Sequence, residues 1–554
     1  IVVGSGATGG IAAKELSERG LTVLVLDAGP QLEPKTALGT EPGNLARRFR
    51  NLFVTRNQSY QALHPGYWKT NPDLFINEKE NPYTTPPDRP YYWMRGRQVG
   101  GKSLTWGGIT LRLSDYEFKA ASRDGHGEDW PIGHADLAPY YDRLERFLRV
   151  QGAQDGLPQL PDGHYLPPPD LTPSEEYFKT VAKEHWPDRP FIISRGFSRH
   201  IPTADKPWPQ SSSVGSSLKA ALLTGKVTLQ PDAIVSHLLF DPKTRQAQGI
   251  GYIHRVNKTA HEVRGRIVVL CASTIESLRI LLHSTEQHQP GGLINESGLL
   301  GRYLMDHIST MSFFTLPQFK QPSPAFELSG CDSFFIPRFS NLDQQEGAFL
   351  RGYGLWGGIQ RFYVPNLVRN FGESAVGFLV GHGEVLPHEN NQVQLNTERV
   401  DAWGIPVPHI DCGWTENEQN MLAHMKSQIR ELVELSGGHC IRLTDLFKAP
   451  FYPQTLRNLE EQVMFSAPPG FYIHEVGGAR MGTSPKTSVL NPYNQCWETP
   501  NLLVVDGACW PSAGWQNPTL TEMAITARAC EHIVKTWQYH RAGDQIQQDF
   551  GGRD

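Results

Sequence analysis

Ile1-Val2-Val3-Gly4-Ser5-Gly6-Ala7-Thr8-Gly9-Gly10 opens the chain, and the spacing of its glycines sets the reading of the whole sequence. An apolar strand, Ile1 to Val3, runs into Gly4-x-Gly6-x-x-Gly9, and a helical stretch from Ile11 to Arg19 comes next. A second apolar strand, Leu21 to Leu26, ends in Asp27. In such a unit the first glycine makes the tight turn, the second lets backbone approach a pyrophosphate, and the third lets helix and strand pack closely. The helix N-terminus, at Ala7 and Thr8, then faces phosphate. Asp27, with Ala28 beside it, stands where an acid bonds a ribose hydroxyl. The expected ligand is a dinucleotide; the glycines and Asp27 suit NAD and FAD equally well.

The rest of the chain has the scale of a two-domain enzyme. It has 554 residues, 39% hydrophobic and 20% charged, with a net charge of -5. That charge gives no reason to expect nucleic acid or an anionic membrane as partner. No apolar run reaches membrane-spanning length. A soluble protein is expected, cytoplasmic or periplasmic, and residues ahead of Ile1 are expected to be missing because the chain starts inside a strand without methionine. The seven cysteines include no C-x-x-C pair, which argues against a zinc site, a local iron–sulfur cluster or a dense disulfide framework.

Gln31 to Tyr92 is rich in Pro, Asn and aromatic residues and lacks periodicity; a long irregular connection of this kind is functional or wraps a neighbour. Arg95-Gly96-Arg97-Gln98-Val99-Gly100-Gly101-Lys102-Ser103-Leu104-Thr105-Trp106-Gly107-Gly108 marks backbone running against something flat or bulky. Helices are expected near 139–150, 174–185, 212–223, 274–284, 416–436 and 519–537. Strands are expected at 226–229, 233–240, 247–255, 266–272 and 501–506. Between residues 309 and 457, β-like runs at 333–339, 375–382 and 392–396 alternate with turns and suggest an antiparallel sheet with a covering helix. The fold class is therefore α/β. Nucleotide-binding segments (1–110, 212–308 and 461–540) bracket a connecting segment (111–211) and a substrate domain (309–460), and 541–554 is left as a tail.

Six motifs in order carry a resemblance: the opening glycines, the stretch Arg95 to Gly101, the strand end Val269 to Ser273, and Leu304-Met305-Asp306-His307. His474-Glu475-Val476-Gly477-Gly478-Ala479-Arg480-Met481-Gly482 and Asp506 followed by Asn517-Pro518-Thr519-Leu520-Thr521 complete the set. Together they resemble the glucose–methanol–choline (GMC) family of FAD-dependent oxidoreductases over nearly the whole chain. Within it they look most like the sugar-oxidising branch of pyranose oxidase and the glucoside 3-dehydrogenases. The resemblance implies that Gly4, Gly6 and Gly9 hold the FAD pyrophosphate and Asp27 the adenosine ribose. Val235 would contact adenine, with Ala272 and Ser273 closing that pocket. Gly100, Gly101 and Ser103 would follow the ribityl chain, Thr105 and Trp106 would lie by the isoalloxazine ring, and Arg95, Gly107 and Gly108 are further cofactor-binding candidates. Asp506, Gly507, Pro518 and Thr519 would anchor the ribityl and pyrimidine end. His474 and Asn517 match the family's catalytic pair. Two departures stand out. Thr105 occupies the position where pyranose oxidase has a flavin-linked histidine, so the FAD is expected to be non-covalent. The segment after His200 lacks the cysteines that several sugar dehydrogenases carry there, leaving oxygen, a quinone or a small partner subunit as electron acceptor.

The chemistry suits these side chains. Oxidising an alcohol needs a base for the hydroxyl proton and an acceptor for the carbon-bound hydride, and a neutral imidazole titrates near working pH. Asn517 can donate and accept, steering the hydroxyl. A sugar or glycoside with an oxidisable secondary hydroxyl, C3 foremost, is the expected substrate, with Gln360, Arg361, Glu384 and Gln516 as binding candidates; a non-sugar alcohol, or a role mainly as an electron-relay flavoprotein subunit, is the alternative. Trp356, Trp510 and Trp515 are candidates for a stacking wall. His307 is read as a packing residue. His382, Glu384 and His388 do not follow a zinc pattern, and no metal is expected.

Overall fold

The computed structural model describes residues 1–288, 294–362, 369–446 and 467–550. Its first layer is a five-stranded parallel sheet in the order Leu502–Val504, Val268–Leu270, Val2–Val3, Val23–Leu26, Val227–Gln230. Pieces far apart in sequence thus close one sheet. The period-two alternation of strands explains how. Val2 pairs with Val25 and Val269, and Val269 with Leu503, so all four side chains share one face. They bury against Ala12, Ala13 and Leu16 of the helix Ala7–Glu18, together with Ala529, Ile533 and Val534 of the helix Thr519–Phe550. Val3, Leu26, Leu270 and Val504 take the opposite face, in the main core.

The second layer is a six-stranded antiparallel sheet in the order His439–Ile441, Ile308–Lys320, Ser374–Gly383, Tyr353–Ile359, Phe334–Ile336, Ile192–Ile193. The helix Glu416–Leu435 covers it, burying Met421, Met425, Ile429 and Leu432. Met421 and Met425 lie directly over Gly383 and Gly381 of the strand beneath. A three-stranded antiparallel sheet, Ala233–Asp241, Gln246–His254 and Ala260–Arg264, packs under the helix Thr274–His288.

Several expectations change. The 31–92 stretch holds short helices, Pro34–Leu38, Glu41–Phe49 and Pro65–Lys69 among them. Proline near their starts and the caps Thr40 and His64 define them, where side-chain periodicity gave no signal. Tyr353–Ile359, unread as a strand, is glycine-rich because aromatic rings press on it: a Cβ at Gly354 would run into Trp515. Ile192–Ile193, in the segment read as a connection, joins the antiparallel sheet at its edge. Gln392–Val400 instead forms a separate ladder with Pro406–Asp411. The last helix runs past the expected end at Trp537 to Phe550. Part of the span between the antiparallel sheet and the third nucleotide-binding segment, 447–466, lies outside the described residues. Among the described residues, no helix is long and apolar enough to cross a membrane.

Candidate active site

The opening turn is built as a cradle. Gly4 adopts φ 97°, and a Cβ on Gly9 would collide with the Gly4 carbonyl, so strand and helix meet only because both positions are glycine. Gly6 caps the helix Ala7–Glu18 with no side chain satisfying its first N–H groups and no acid in the first turn. Such an end is an anion site, its amides pointing outward at the positive pole of the helix. The second glycine loop lies against the first: a Cβ on Gly101 would sit 3.3 Å from Gly6 Cα. Hydrogen bonds stitch the two together. Gly100 N donates to Ser5 Oγ at 2.9 Å, Ser103 Oγ donates to the Gly100 carbonyl at 2.5 Å, and Ser213 Oγ donates to the Ser5 carbonyl at 2.7 Å.

Four expected cofactor contacts have protein partners of their own. Asp27 accepts from Ser5 N at 3.1 Å, Ser5 Oγ at 2.5 Å and Gly29 N at 2.9 Å, while burial pushes its carboxyl up. The Val235 carbonyl accepts from Arg279 Nη2 at 2.8 Å. Arg95 is buried over the Trp93 ring, donates to the Asn81 carbonyl and pairs with Glu276. Burial brings it down to about 10. Ala272 N donates to Ser277 Oγ at 3.2 Å, and Ser273 is held at φ 75°, a left-handed conformation rare outside glycine.

At the far end of the cradle, Trp106 buries an indole N–H that finds no partner in the protein, and nothing crowds Gly107 within 4 Å. Thr105 Oγ1 donates to the Lys102 carbonyl at 3.3 Å. Asp506 caps the turn Gly507–Cys509 through Ala508 N at 3.1 Å and accepts from Ser277 Oγ at 2.5 Å. Burial pushes Asp506 up to about 6; burial, with Asp506 nearby, pushes Glu522 up to about 8. Lys102 reaches Glu475 at 3.0 Å.

The expected catalytic pair is brought together. His474 follows Ile473, a β-branched residue held at φ 65°; such a backbone outlier costs on the order of 1–3 kcal/mol and is held in place by its surroundings. The holder is Asp306, which accepts from His474 N at 2.9 Å and Gly470 N at 2.8 Å. Burial, and Glu475 nearby, push Asp306 up to about 7. Asn517, at the head of the helix Thr519–Phe550, places Nδ2 3.4 Å from His474 Nε2. On its other side, His474 Nδ1 lies 2.9 Å from His307 Nδ1. Burial, then the neighbouring His307, His382, Lys102 and His64, hold His474 well below the ordinary histidine range. It is therefore a neutral imidazole, able to take a proton. His307 corrects the packing reading: it belongs to this site. Its only sequence signal was its place in Asp306-His307 just ahead of a long strand.

The expected sugar contacts fare differently. Arg361 makes a two-pronged pair with Glu175, Nε and Nη2 each at 2.7 Å. Glu384 accepts from Arg338 at 2.8 Å, and Gln360 is tied to Ser174 Oγ and the Lys320 carbonyl. All three are buried and each has a protein partner, while Glu384 keeps its second carboxyl oxygen, Oε2, without one. Gln516 remains available: its Oε1, like Trp515 Nε1 and Asn517 Oδ1, is buried without a partner. Of the tryptophans, Trp515 packs beside His382 at 6.4 Å between centroids, whereas Trp510 packs on Trp130 and Trp356 on Phe378. Among the described residues, no cluster of three or more His, Cys, Asp or Glu could hold a metal.

Uncapped helix end, paired glycine loops and the unpartnered Trp106 indole together fit a flavin dinucleotide. Comparison with known proteins agrees. Residues 2–51 match the NAD(P)-binding Rossmann-like domain and residues 387–526 the GMC oxidoreductase domain. The 2-methyl-1,2-propanediol dehydrogenase of Mycolicibacterium austroafricanum is 27% identical over 97% of this chain and 95% of its own length. The fructose dehydrogenase large subunit of Gluconobacter japonicus is 26% identical over 96% and 97%. An FAD-dependent oxidoreductase from Chaetomium thermophilum superposes with TM-score 0.65 at 15% identity, covering 97% of this chain and 99% of the other. The chain thus carries a GMC oxidoreductase domain beside a Rossmann-like nucleotide-binding domain, and it is an FAD-dependent oxidoreductase acting on CH–OH groups.

Proposed function

We propose that this enzyme oxidises a secondary hydroxyl of a sugar or glycoside to the ketone, with ring carbon 3 the first position to test and His474 as the base. The observation that carries the reading is the neutral, buried His474 imidazole with its Nε2 turned to the Asn517 amide. His474 Nε2 takes the hydroxyl proton, Asn517 Nδ2 steadies the developing alkoxide, and burial excludes water. Bound FAD would accept the hydride. Residues of the glycine cradle (Gly4, Gly6, Ala7, Thr8, Gly9) would hold its pyrophosphate. Asp27 would face the ribose, while Asp506, Pro518 and Thr519 would lie at the ribityl and pyrimidine end. Three consecutive unpartnered polar atoms, on Trp515, Gln516 and Asn517, favour a substrate rich in hydroxyls, since a buried polar atom without a partner costs on the order of 1–3 kcal/mol.

Thr105 has no imidazole with which to bond the flavin, so the cofactor is non-covalent: acid precipitation should leave a yellow supernatant, and a yellow pellet would refute this. Electrons then pass to oxygen, a quinone or a small partner subunit; the subunit status of the fructose dehydrogenase relative supports the last. A non-sugar alcohol is the second reading, favoured by the full-length similarity to the propanediol dehydrogenase. Anaerobic titration of the flavin band with glucose, simple glucosides and 2-methyl-1,2-propanediol separates the two. Bleaching by glucosides, with a 3-keto product by NMR, supports the first; bleaching by the diol alone supports the second.

A further inference from the structure

We propose that His307 is the positioning residue that sets the tautomer of His474. It accepts the His474 Nδ1 proton and so leaves the Nε2 lone pair facing Asn517 and the substrate hydroxyl. The inference rests on the reading of His474 as the base and adds how that base is prepared.

Hydrogen-bond direction carries it. His307 Nε2 lies 2.5 Å from the Gly514 carbonyl oxygen, which can only accept, so the His307 proton is on Nε2. Burial keeps His307 neutral, lowered to about 4, and a neutral imidazole with its proton on Nε2 has a bare Nδ1. That bare nitrogen faces His474 Nδ1 at 2.9 Å, so the proton between them belongs to His474. His474 Nε2 is then bare in turn, and Asn517 Nδ2 donates to it at 3.4 Å. Every donor in the row Asn517, His474, His307, Gly514 meets an acceptor. Reversing His474 alone would set lone pair against lone pair at 2.9 Å, and reversing His307 would do so against the Gly514 carbonyl at 2.5 Å.

The surroundings leave His307 as the partner of His474 Nδ1. Asp306, one residue away, spends its carboxyl on the backbone N–H groups of Gly470 and His474. His382, from the adjacent strand, packs its ring 5.4 Å from His307 and stacks on Tyr472. Tyr472 lies edge-on to His474 at 4.7 Å. Lys102 is paired with Glu475, and His64 rests against Phe471 and donates no charge at neutral pH, burial having lowered it to about 4. No carboxylate touches the His474 ring among the described hydrogen bonds, so the orienting acceptor is a neutral imidazole backed by a carbonyl dipole. When the substrate O–H bond breaks, the proton adds to His474 Nε2 and the electron pair stays on oxygen. The Nδ1 proton remains shared with His307.

The test uses the flavin-loaded enzyme labelled with 15N-histidine. The His474 resonances, identified by their loss in His474→Ala, should show a protonated Nδ1 and a bare Nε2. In His307→Leu the proton should redistribute between the two nitrogens. The rate of flavin reduction should then fall roughly ten- to a hundredfold, the scale of losing an orienting partner, with KM little changed. His307→Asn, whose amide oxygen can stand in for Nδ1, should restore most of that rate. A native His474 protonated on Nε2, or an unchanged His474 tautomer in His307→Leu, overturns the proposal. Should His307→Leu fail to fold, the native spectrum alone decides. If His474 is not the base, His474→Ala keeps its flavin-reduction rate whatever the tautomer, so the two readings fail separately.

Discussion

At His474 the local conformation is costly and its cost is informative. Ile473 sits at φ 65°, and the following N–H is clamped by Asp306, so the ring is presented from a turn a free chain avoids. As the proposed base, His474 should dominate turnover. Replacing His474 with Ala should lower the rate of flavin reduction by about a hundred- to ten-thousandfold while leaving the flavin spectrum unchanged. Asn517→Ala should cost about a hundred- to a thousandfold, as expected for one donor aimed at a developing oxyanion. Rapid-mixing reduction under anaerobic conditions measures both. A near-native rate in either variant removes that side chain from the chemistry.

Among the elements, the helix Pro173–His185 shows how the protein itself engages Arg361, one of the expected sugar contacts. Its capping box pairs Thr172 with Glu175, and Glu175 also accepts from Ile359 N at 2.9 Å and from Arg361. Arg361 therefore bolts this helix to the end of the strand Tyr353–Ile359. Arg361→Met should leave Glu175 as an unpaired buried charge and destabilise the protein by about 3–5 kcal/mol. KM and kcat of the folded fraction should stay near native. Denaturant melts and initial rates on one preparation check this, and a raised KM with unchanged stability would return Arg361 to the substrate pocket. The same contrast marks what the sequence could disclose. The opening strand, turn and helix were legible because a steric rule ties Gly4, Gly6 and Gly9 to a backbone shape. So were the buried parallel strands and the long covering helix, where periodicity is strong. The strand Tyr353–Ile359 was hidden, because its glycines answer to aromatic rings that arrive from distant segments. Arg361 and Glu384 looked available for the reason that their partners, Glu175 and Arg338, lie 186 and 46 residues away. His307 was hidden likewise, since a histidine's role depends on which atoms face its two nitrogens.

Across the whole molecule, three sequence-distant segments bring buried carboxyls together around Glu475. Asp306 comes from just ahead of the strand Ile308–Lys320, Asp506 from the turn after the last parallel strand, and Glu522 from the final helix. Burial is the main reason each is raised, to about 7, 6 and 8 respectively. In the unfolded chain such groups ionise near pH ~4. Between those limits the fold keeps protons that the unfolded chain has released, so stability falls as pH rises through about 6 to 8. The buried histidines act in the opposite sense. His307, lowered to about 4, must stay neutral while its unfolded counterpart takes a proton below about 6.5, so stability also falls on the acid side. A single substitution separates the two. Glu522→Gln removes the highest of the carboxyl values while leaving the histidines alone. Its stability relative to the native chain should show no pH-dependent gain near pH ~4.5. The gain should open as pH rises and reach a few kcal/mol by about pH 8, since each tenfold change in proton affinity is worth about 1.4 kcal/mol. Thermal melts of the flavin-free protein and the variant, taken across that range, measure the difference directly. Two curves that stay parallel would mean that Glu522 ionises as it would in water, and that these carboxyls are solvated rather than buried.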